Sequence, residues 1–587
     1  PYVINQEFCS VCHQCRVECP MHAIRMKNAK YWIDPEKCIS CGKCVKVCHN
    51  GCISNPEKPA PKLSPHAPIE KTADLVVVGA GAAGMVAAAK AADAGKKVIV
   101  LEKMHEVGGS AWYAAGFCCH WSKWHEAAGA KDKRKKEYER FLKMVDGNVN
   151  PKLLWRMFEA NAEFIDWLID EHDLASAYKL AKTPMGLGLE GTFEWERAGT
   201  RIDKMIGPGE GGWYMTTHLR DDFLKKGGEI LYKTPAKHIL TDENGVVSGV
   251  IAQDEGGEIR ITCPAVIIAT GCFSRNKELM NRFQPMFYQN EGKDPIHIFA
   301  GAGSNGDGIL MGADIDYVNR RVNMFGPMRH PYPCVSLNIA LGNSGFCVGT
   351  QGDMFEGSLG MQEVSPLTKD PKWHIWKIVD HNIAANAIAS AMEQPEQSPG
   401  MNLKAFMVNW EDVLKEEAIP EDSGIDDAVV IADTLEELAQ KLGVDEATFL
   451  QHVAEYNEST KHPAPAGGMP PMMMDDDDED DKPDPEMIAK MFGTPKPLLP
   501  IGEGPFYALK LKMFHENAVG GMTIDENASV LKNGQPIPGL YAAGDTTRGI
   551  MIPGDVGVGY IERVFSALTQ AFNEGYIAGV AATEYLA

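Results

Sequence analysis

The stretch Ala73-Asp74-Leu75-Val76-Val77-Val78-Gly79-Ala80-Gly81-Ala82-Ala83-Gly84 decides the central fold. A continuous apolar run, a glycine turn and an alanine-rich segment to about Ala94 spell a strand buried on both faces, a tight turn and a helix. Lys97-Val98-Ile99-Val100-Leu101-Glu102 then supplies a second buried strand that ends in an acid. Each residue of this strand, turn, helix and strand has a physical task. Gly79 makes the turn, Gly81 lets the backbone approach a pyrophosphate, and Gly84 lets helix and strand pack closely. The helix N-terminus offers free N–H groups and the positive end of a dipole to the phosphates. Glu102, 23 residues after Gly79, accepts hydrogen bonds from ribose hydroxyls. The unit predicts a dinucleotide site.

Upstream, the chain reads Cys9-x2-Cys12-x2-Cys15-x3-Cys19-Pro20 and again Cys38-x2-Cys41-x2-Cys44-x3-Cys48. A tight turn with cysteines three apart points three thiolates at three irons of one cube, and the fourth ligand must come from elsewhere. This doubled run resembles the two-cluster bacterial ferredoxins, in which the fourth cysteine of each run crosses to the other cluster. The resemblance implies Cys9, Cys12, Cys15 and Cys48 on one [4Fe-4S] cluster and Cys38, Cys41, Cys44 and Cys19 on the other. A zinc ribbon needs two pairs across a longer gap, and a disulfide framework belongs to small secreted domains. The chain opens on Pro-Tyr-Val-Ile-Asn without a charged and then apolar leader, so secretion is not expected. One departure stands out: Cys48 is followed by His49, where proline is usual. Cys52 is expected to be a spare, small buried thiol.

Composition sets outer limits. A net charge of -23 repels nucleic-acid phosphates and excludes that class of partner. With 44% hydrophobic and 23% charged residues over 587 positions, several domains with ample core are expected. No apolar run approaches the roughly 20 residues needed to span a bilayer. Seven of the fifteen cysteines lie outside the two runs, adjacent Cys118 and Cys119 among them, which points to a reducing cytoplasm and an anaerobic setting.

Further segments follow in order: Gly108-Gly109-Ser110-Ala111, Ala114-Ala115-Gly116, Ala265 to Gly271, Gly306-Asp307-Gly308, and Gly539 to Asp545. In these the chain from about residue 73 onward resembles the flavoprotein subunits of the fumarate reductase and succinate dehydrogenase family. The resemblance implies FAD, with Gly79, Gly81, Ala83, Gly84, Glu102 and Lys103 at its ADP half. Gly108, Gly109, Ser110, Ala115 and Gly116 line the flavin side, and the backbone of Ala236 meets the adenine. Ala269, Thr270 and Gly271 belong to the same domain, while Asp307, Gly544 and Asp545 lie near the sugar and ribityl chain. A second fingerprint for a pyridine nucleotide is absent, so direct reduction by one is not expected.

The expected class is α/β with α+β parts. A ferredoxin domain occupies 1–55, and a proline- and lysine-rich linker 56–72. A Rossmann-type FAD-binding domain covers 73–312 and 496–587, interrupted at 313–495 by an inserted α+β capping domain. Within the cap, Thr434 to Leu442 reads as a surface helix. Pro463 to Pro471, three methionines and seven consecutive acids at Asp475 to Asp481 read as an acidic loop over 463–484. That loop is either a solvated segment, a docking patch for a basic partner or a divalent cation site.

In the resembled family, a histidine and arginines clamp two substrate carboxylates, and a cap arginine donates a proton. Here those positions hold Asn517 and Asp555, and Ser358 to Gln362 contains no arginine. An anionic diacid would meet a carboxylate instead of a guanidinium, so fumarate and succinate are not the expected substrates. His515, Arg548 and Tyr560 are the candidates for replacement acid–base chemistry, and Trp112 and Tyr113 for stacking on a flat substrate. The expected activity is an oxidoreductase that passes single electrons through two [4Fe-4S] clusters to FAD, and a hydride between FAD and an activated C=C bond of a small-molecule substrate. The reverse dehydrogenase, or an electron-relay subunit of a larger complex, stays open. The expected partner is a one-electron carrier such as ferredoxin or a redox subunit, with an oligomer or complex allowed.

Overall fold

The computed structural model describes residues 1–9, 14–27, 30–59, 61, 63–113, 119–144, 149–173, 210–283, 297–298, 300–311, 317–318, 330–331, 341, 344–349, 354–355, 375–393, 410–417, 429–461, 498–512, 514–515, 521–547, 550 and 567–587.

The fingerprint folds as its pattern dictates. Strand β1 (Leu75–Val78) is buried at every position and turns through Gly79, φ +104°, into helix α1 (Ala82–Asp93). Strand β2 (Val98–Leu101) lies parallel to β1 in register Leu75↔Val98. The long amphipathic α2 (Pro151–Glu171) starts at Asn150, whose side chain accepts from the N–H groups of Lys152 and Leu153, with proline at the first helical position. Helix α3 (Glu210–Lys225) leads to β3 (Glu229–Leu231), which pairs with β2. Strand β4 (Ala265–Ile268) returns to the other side of β1, and β5 (Ser529–Lys532) and β6 (Gln535–Ala542) complete a six-stranded sheet. Its order is β5-β6-β4-β1-β2-β3, parallel except for the β5–β6 pair. Helix α4 (Ala567–Tyr585) packs on α1 and α2. One core runs through these elements, with Val76, Val77, Met85, Val100, Phe164 and Phe572 fully buried.

The last four residues of the stretch read as linker, Ile69–Thr72, are a strand of a second sheet. They pair in parallel with Glu258–Thr262, which continues through Val247–Gln253 to Ala236–Thr241. Their polar sequence hides this, because the backbone ladder and not side-chain burial holds an edge strand.

The region expected as a cap has a separate core around Val348, Ile378, Leu438, Phe449 and Leu509. Its sheet is His330–Pro331, Phe506–Lys512, Ile375–Asp380, Phe346–Gly349 and Met354–Phe355, with Val429–Ala432 also on Phe506–Lys512. Phe506–Lys512 lies beyond the boundary expected at 495 yet is flanked by three cap strands. The surface helix is present as Leu435–Leu442, capped by Thr434 and ended by Gly443 in the left-handed region. The acidic loop lies outside the described residues. Two short pairings, His297–Ile298 with Phe514–His515 and Tyr317–Val318 with Gly521–Met522, flank the passages between cap and flavin-type domain.

At the N-terminus, a hairpin of Ile24–Lys27 and Lys30–Ile33 and two single-turn helices, Gln14–Val17 and Lys43–Lys46, enclose a small core of Tyr31, Ile24, Ile53 and cysteines. No described helix is long and apolar enough to cross a membrane.

Candidate cofactor site

A cavity opens at the carboxyl ends of β1, β4 and β6, where strand order reverses about β1, the place where open α/β sheets bind ligands. It encloses about 1310 Å³ of empty space, its open mouth included. Gly79, Gly81, Ala83, Glu102, Lys103, Gly108, Gly109, Ser110, Ala236, Ala269, Thr270, Gly271, Asp307, Gly544 and Asp545 all line it. Gly84 stands behind the turn, where a Cβ would lie 1.8 Å from the Gly79 oxygen. Ala115 and Gly116 lie outside the described residues.

The cavity's polar groups are held from behind. Gly81, the first residue before α1, gives no side-chain cap, so the helix's leading N–H groups stay available to a ligand. Glu102 Oε2 accepts from Ala80 N–H at 2.8 Å and Oε1 from Met104 N–H at 2.7 Å, which fixes the carboxylate beneath the turn. Burial raises its pKa against these two donors. Lys103 Nζ pairs with the Asp307 carboxylate across the cavity. Thr270 Oγ1 accepts from Gly308 N–H and donates to Thr546 Oγ1, each at 3.1 Å, and so joins the β4 turn to the Asp307 loop. Ser110 Oγ accepts from Gly301 N–H at 3.0 Å.

Two acids that would ordinarily be charged are driven toward neutrality. Burial pushes Asp545 up to about 7. Glu574, on α4, is pushed up to about 8 by burial, while its Oε2 accepts from Gly544 N–H at 2.8 Å and Thr547 Oγ1 at 3.0 Å. Glu574 thereby sets the Gly544-Asp545 turn. Sequence reasoning missed it, because a lone acid in an apolar helix carries no motif.

The iron–sulfur module supplies part of the wall. His49 and Asn50 line the same cavity, and Asn50 is fixed by Nδ2 donating to Phe8 O at 2.8 Å. His49 is half-buried, and the loss of water around its ring pushes its pKa down to about 3. The signal for this was the histidine standing where proline is usual. In the module itself, Cys19, Cys38, Cys41 and Cys44 line one small cavity, joining the last cysteine of the first run to three of the second. Cys48 lies with Cys52, their sulfurs 3.3 Å apart, in the core that also takes in Cys9, Cys15, Cys19 and Cys44. Cys52 is buried, as expected of a spare thiol; Cys12 lies outside the described residues.

Of the acid–base candidates, His515 has a described backbone opposite Ile298, while its side chain is outside the described set. Arg548, Tyr560, Asn517, Asp555 and Ser358 to Gln362 also lie outside it. Trp112 is described and lies stacked on His49; the side chain of Tyr113 is not described.

Comparison with known proteins finds two family models on the chain. The FAD binding domain family matches residues 74–559, and the 4Fe-4S dicluster domain family matches residues 1–49. The chain is 26% identical to the NADH:fumarate oxidoreductase of Klebsiella pneumoniae, over 82% of this chain and 45% of that protein. It is 26% identical to the NADH:acrylate oxidoreductase of Vibrio harveyi, over 88% of this chain and 51% of that protein. The chain thus spans about half the length of these two relatives. A vinyl phenol reductase of Lactiplantibacillus plantarum is 26% identical over 81% of this chain and 90% of that protein. In fold, the open conformation of a flavocytochrome c3 fumarate reductase superposes with a TM-score of 0.61 at 22% identity, covering 88% of this chain and 79% of that one. The chain belongs to the FAD-binding family of the fumarate reductase and succinate dehydrogenase flavoproteins and carries a 4Fe-4S dicluster domain at its N-terminal end.

Proposed function

We propose that the chain is an iron–sulfur flavoprotein that reduces an activated C=C bond in a substrate without two clamped carboxylates. One observation carries this reading: a single cavity with a dinucleotide fingerprint has its wall completed by the residues that follow a cluster cysteine. The cavity suits FAD. Its glycine turn and uncapped helix end suit a pyrophosphate, Glu102 a ribose, and Asp307 and Asp545 the hydroxyls further along. FAD held there would supply the chemistry for taking up electrons singly and giving them up as a pair. Cys9, Cys12, Cys15 and Cys48 would hold one [4Fe-4S] cluster, and Cys19, Cys38, Cys41 and Cys44 the second.

The substrate reading rests on Asn517, Asp555 and the arginine-free Ser358 to Gln362. Relatives named for acrylate and vinyl phenol, neither a dicarboxylate, stand beside one named for fumarate, so such a substrate is within the range of activities its relatives carry. His515 is the proposed acid–base group, and a small one-electron carrier or a partner redox subunit the electron source.

The test is anaerobic. Reduce the purified holoprotein with dithionite, remove the excess, and add fumarate, acrylate, a cinnamate-type acid and a vinyl phenol in turn. Flavin reoxidation by a monoacid or styrene-type substrate, with fumarate inert, is expected. Reoxidation by fumarate at equal rate would overturn the substrate reading, and reoxidation only by a partner protein would make the chain a relay.

A further inference from the structure

His49 stands where the two redox halves of the chain meet. It follows Cys48 directly, and its imidazole lies on the indole of Trp112 with ring centroids 3.9 Å apart and planes 6° from parallel. Trp112 meets Trp213 edge-on at 5.2 Å. The imidazole also bonds to the Gly109 backbone, so one ring touches both the aromatic stack and the glycine turn of the cavity.

The surrounding contacts hold this arrangement in place. Arg275 donates from Nη1 to Glu7 O at 3.0 Å and from Nη2 to Ala300 O at 2.9 Å, tying the iron–sulfur module to a cavity-side loop. Gly51 passes so close to His105 that a Cβ there would lie 2.8 Å from its ring. Proline at position 49 would offer neither a π face for Trp112 nor a polar ring atom for Gly109, which accounts for the departure from the usual run.

We infer that His49 is a positioning residue for electron delivery: stacked on Trp112, it holds the Cys48 end of the iron–sulfur module against the cavity, and a cluster ligated by Cys48 reduces the flavin across this contact. The inference rests on the proposed reading of the chain as an iron–sulfur flavoprotein. With both groups bound, each passage would take one electron from a reduced cluster and give it to the flavin, and two passages with two protons from solvent would balance its reduction. Electron transfer weakens steeply as a gap widens, so removing the ring slows the passage even where both cofactors remain bound.

The experiment uses the whole chain loaded with iron, sulfide and FAD. A viologen radical generated by a pulse reduces the clusters, and the flavin absorbance reports when electrons arrive. His49→Ala is expected to slow arrival by about tenfold or more, the scale on which misplaced groups cost rate. His49→Phe, which keeps a stacking ring, is expected to restore it. The cluster EPR signals and FAD content of both should match wild type. A second readout needs no flavin: the share of tryptophan fluorescence that Trp112→Leu removes from the FAD-free protein should change in His49→Ala and revert toward wild type in His49→Phe.

Wild-type arrival rates in His49→Ala, or equal slowing in both variants, would overturn the inference. Should His49→Ala lose its clusters, His49→Phe and Trp112→Leu carry the test: a fast Phe and a slow Leu variant support it, and any other pair of rates overturns it. A wild-type protein whose reduced clusters never pass electrons to flavin would instead sink the proposed function itself.

Discussion

Replacing Gly81 and Gly84 by alanine, one at a time, separates the two jobs of the fingerprint glycines. At Gly84 an added Cβ would sit 1.8 Å from the Gly79 oxygen and 3.4 Å from the Ala269 Cβ. Real Cβ contacts essentially never fall below 3.0 Å, so α1 must retreat from the β1 turn by about an ångström. That retreat opens a core in which nine residues of α1 are buried. Overpacking of this kind costs about 1–3 kcal/mol or more. At Gly81 the backbone is φ -76°, ψ -168°, ordinary for any L-residue, and the nearest atom to a new Cβ is Gly108 O at 3.8 Å. A methyl there meets nothing in the protein but projects at the cavity, so the FAD-free fold should stay within about 1 kcal/mol of wild type. Crowding a bound pyrophosphate by the same 1–3 kcal/mol would weaken FAD by roughly fivefold to 150-fold. The assay pairs thermal unfolding of FAD-free protein with FAD titration by flavin fluorescence. Gly81→Ala should melt like wild type and bind FAD poorly, whereas Gly84→Ala should lower the melting temperature before any cofactor is added. Wild-type FAD affinity in Gly81→Ala, or wild-type melting in Gly84→Ala, would refute the division of labour.

Further outcomes follow from the same geometry. Glu574 carries its proton in the fold up to about pH 8, whereas an unfolded glutamate loses it near 4.5. Its contribution is therefore full below 4.5 and falls by about 1.4 kcal/mol per pH unit as pH rises toward 8. FAD-free Glu574→Gln should lose that share of the decline between pH 6 and 8, measured by melting temperature against pH, while keeping whatever slope Asp545 adds. His515→Gln should slow substrate-driven flavin reoxidation by about a hundredfold and leave the FAD spectrum and dithionite reduction intact; full turnover would remove His515 from the chemistry. Cys41→Ser should halve the iron bound per chain and abolish one of two cluster EPR signals, and unchanged iron would remove Cys41 from the ligand set.

The parts legible in the sequence are those where one physical constraint dominates. Val76 to Val78 and Val98 to Val100 read as buried parallel strands because both faces are covered and no polar residue breaks them. The cysteine runs read as a 4Fe-4S dicluster domain because the spacing is geometric, and that family does match residues 1–49. Ile69–Thr72 did not read as a strand, since an edge ladder needs no apolar pattern. Phe506–Lys512 read as part of the flavin domain because its partners, Ile375–Asp380 and Val429–Ala432, are far away in sequence. Glu574 and His49 owe their places to tertiary contacts; for His49 alone, an unexpected residue after Cys48 was a clue.

The packing of α4 on α1 bears on how this protein is made. A Cβ on Gly575 would lie 2.4 Å from Ala83 O, and Lys96 Nζ reaches Leu586 O across 490 positions of chain. Glu574, on that same helix, sets the turn that closes the cavity. During synthesis the fingerprint helix leaves the ribosome hundreds of residues ahead of the segment that covers it. Its apolar face must wait through translation of the entire cap, a high-contact-order assembly of the kind that folds slowly and aggregates when interrupted. A nascent chain that stalls inside the cap therefore holds every glycine of the fingerprint and still lacks the wall that would let it keep a cofactor.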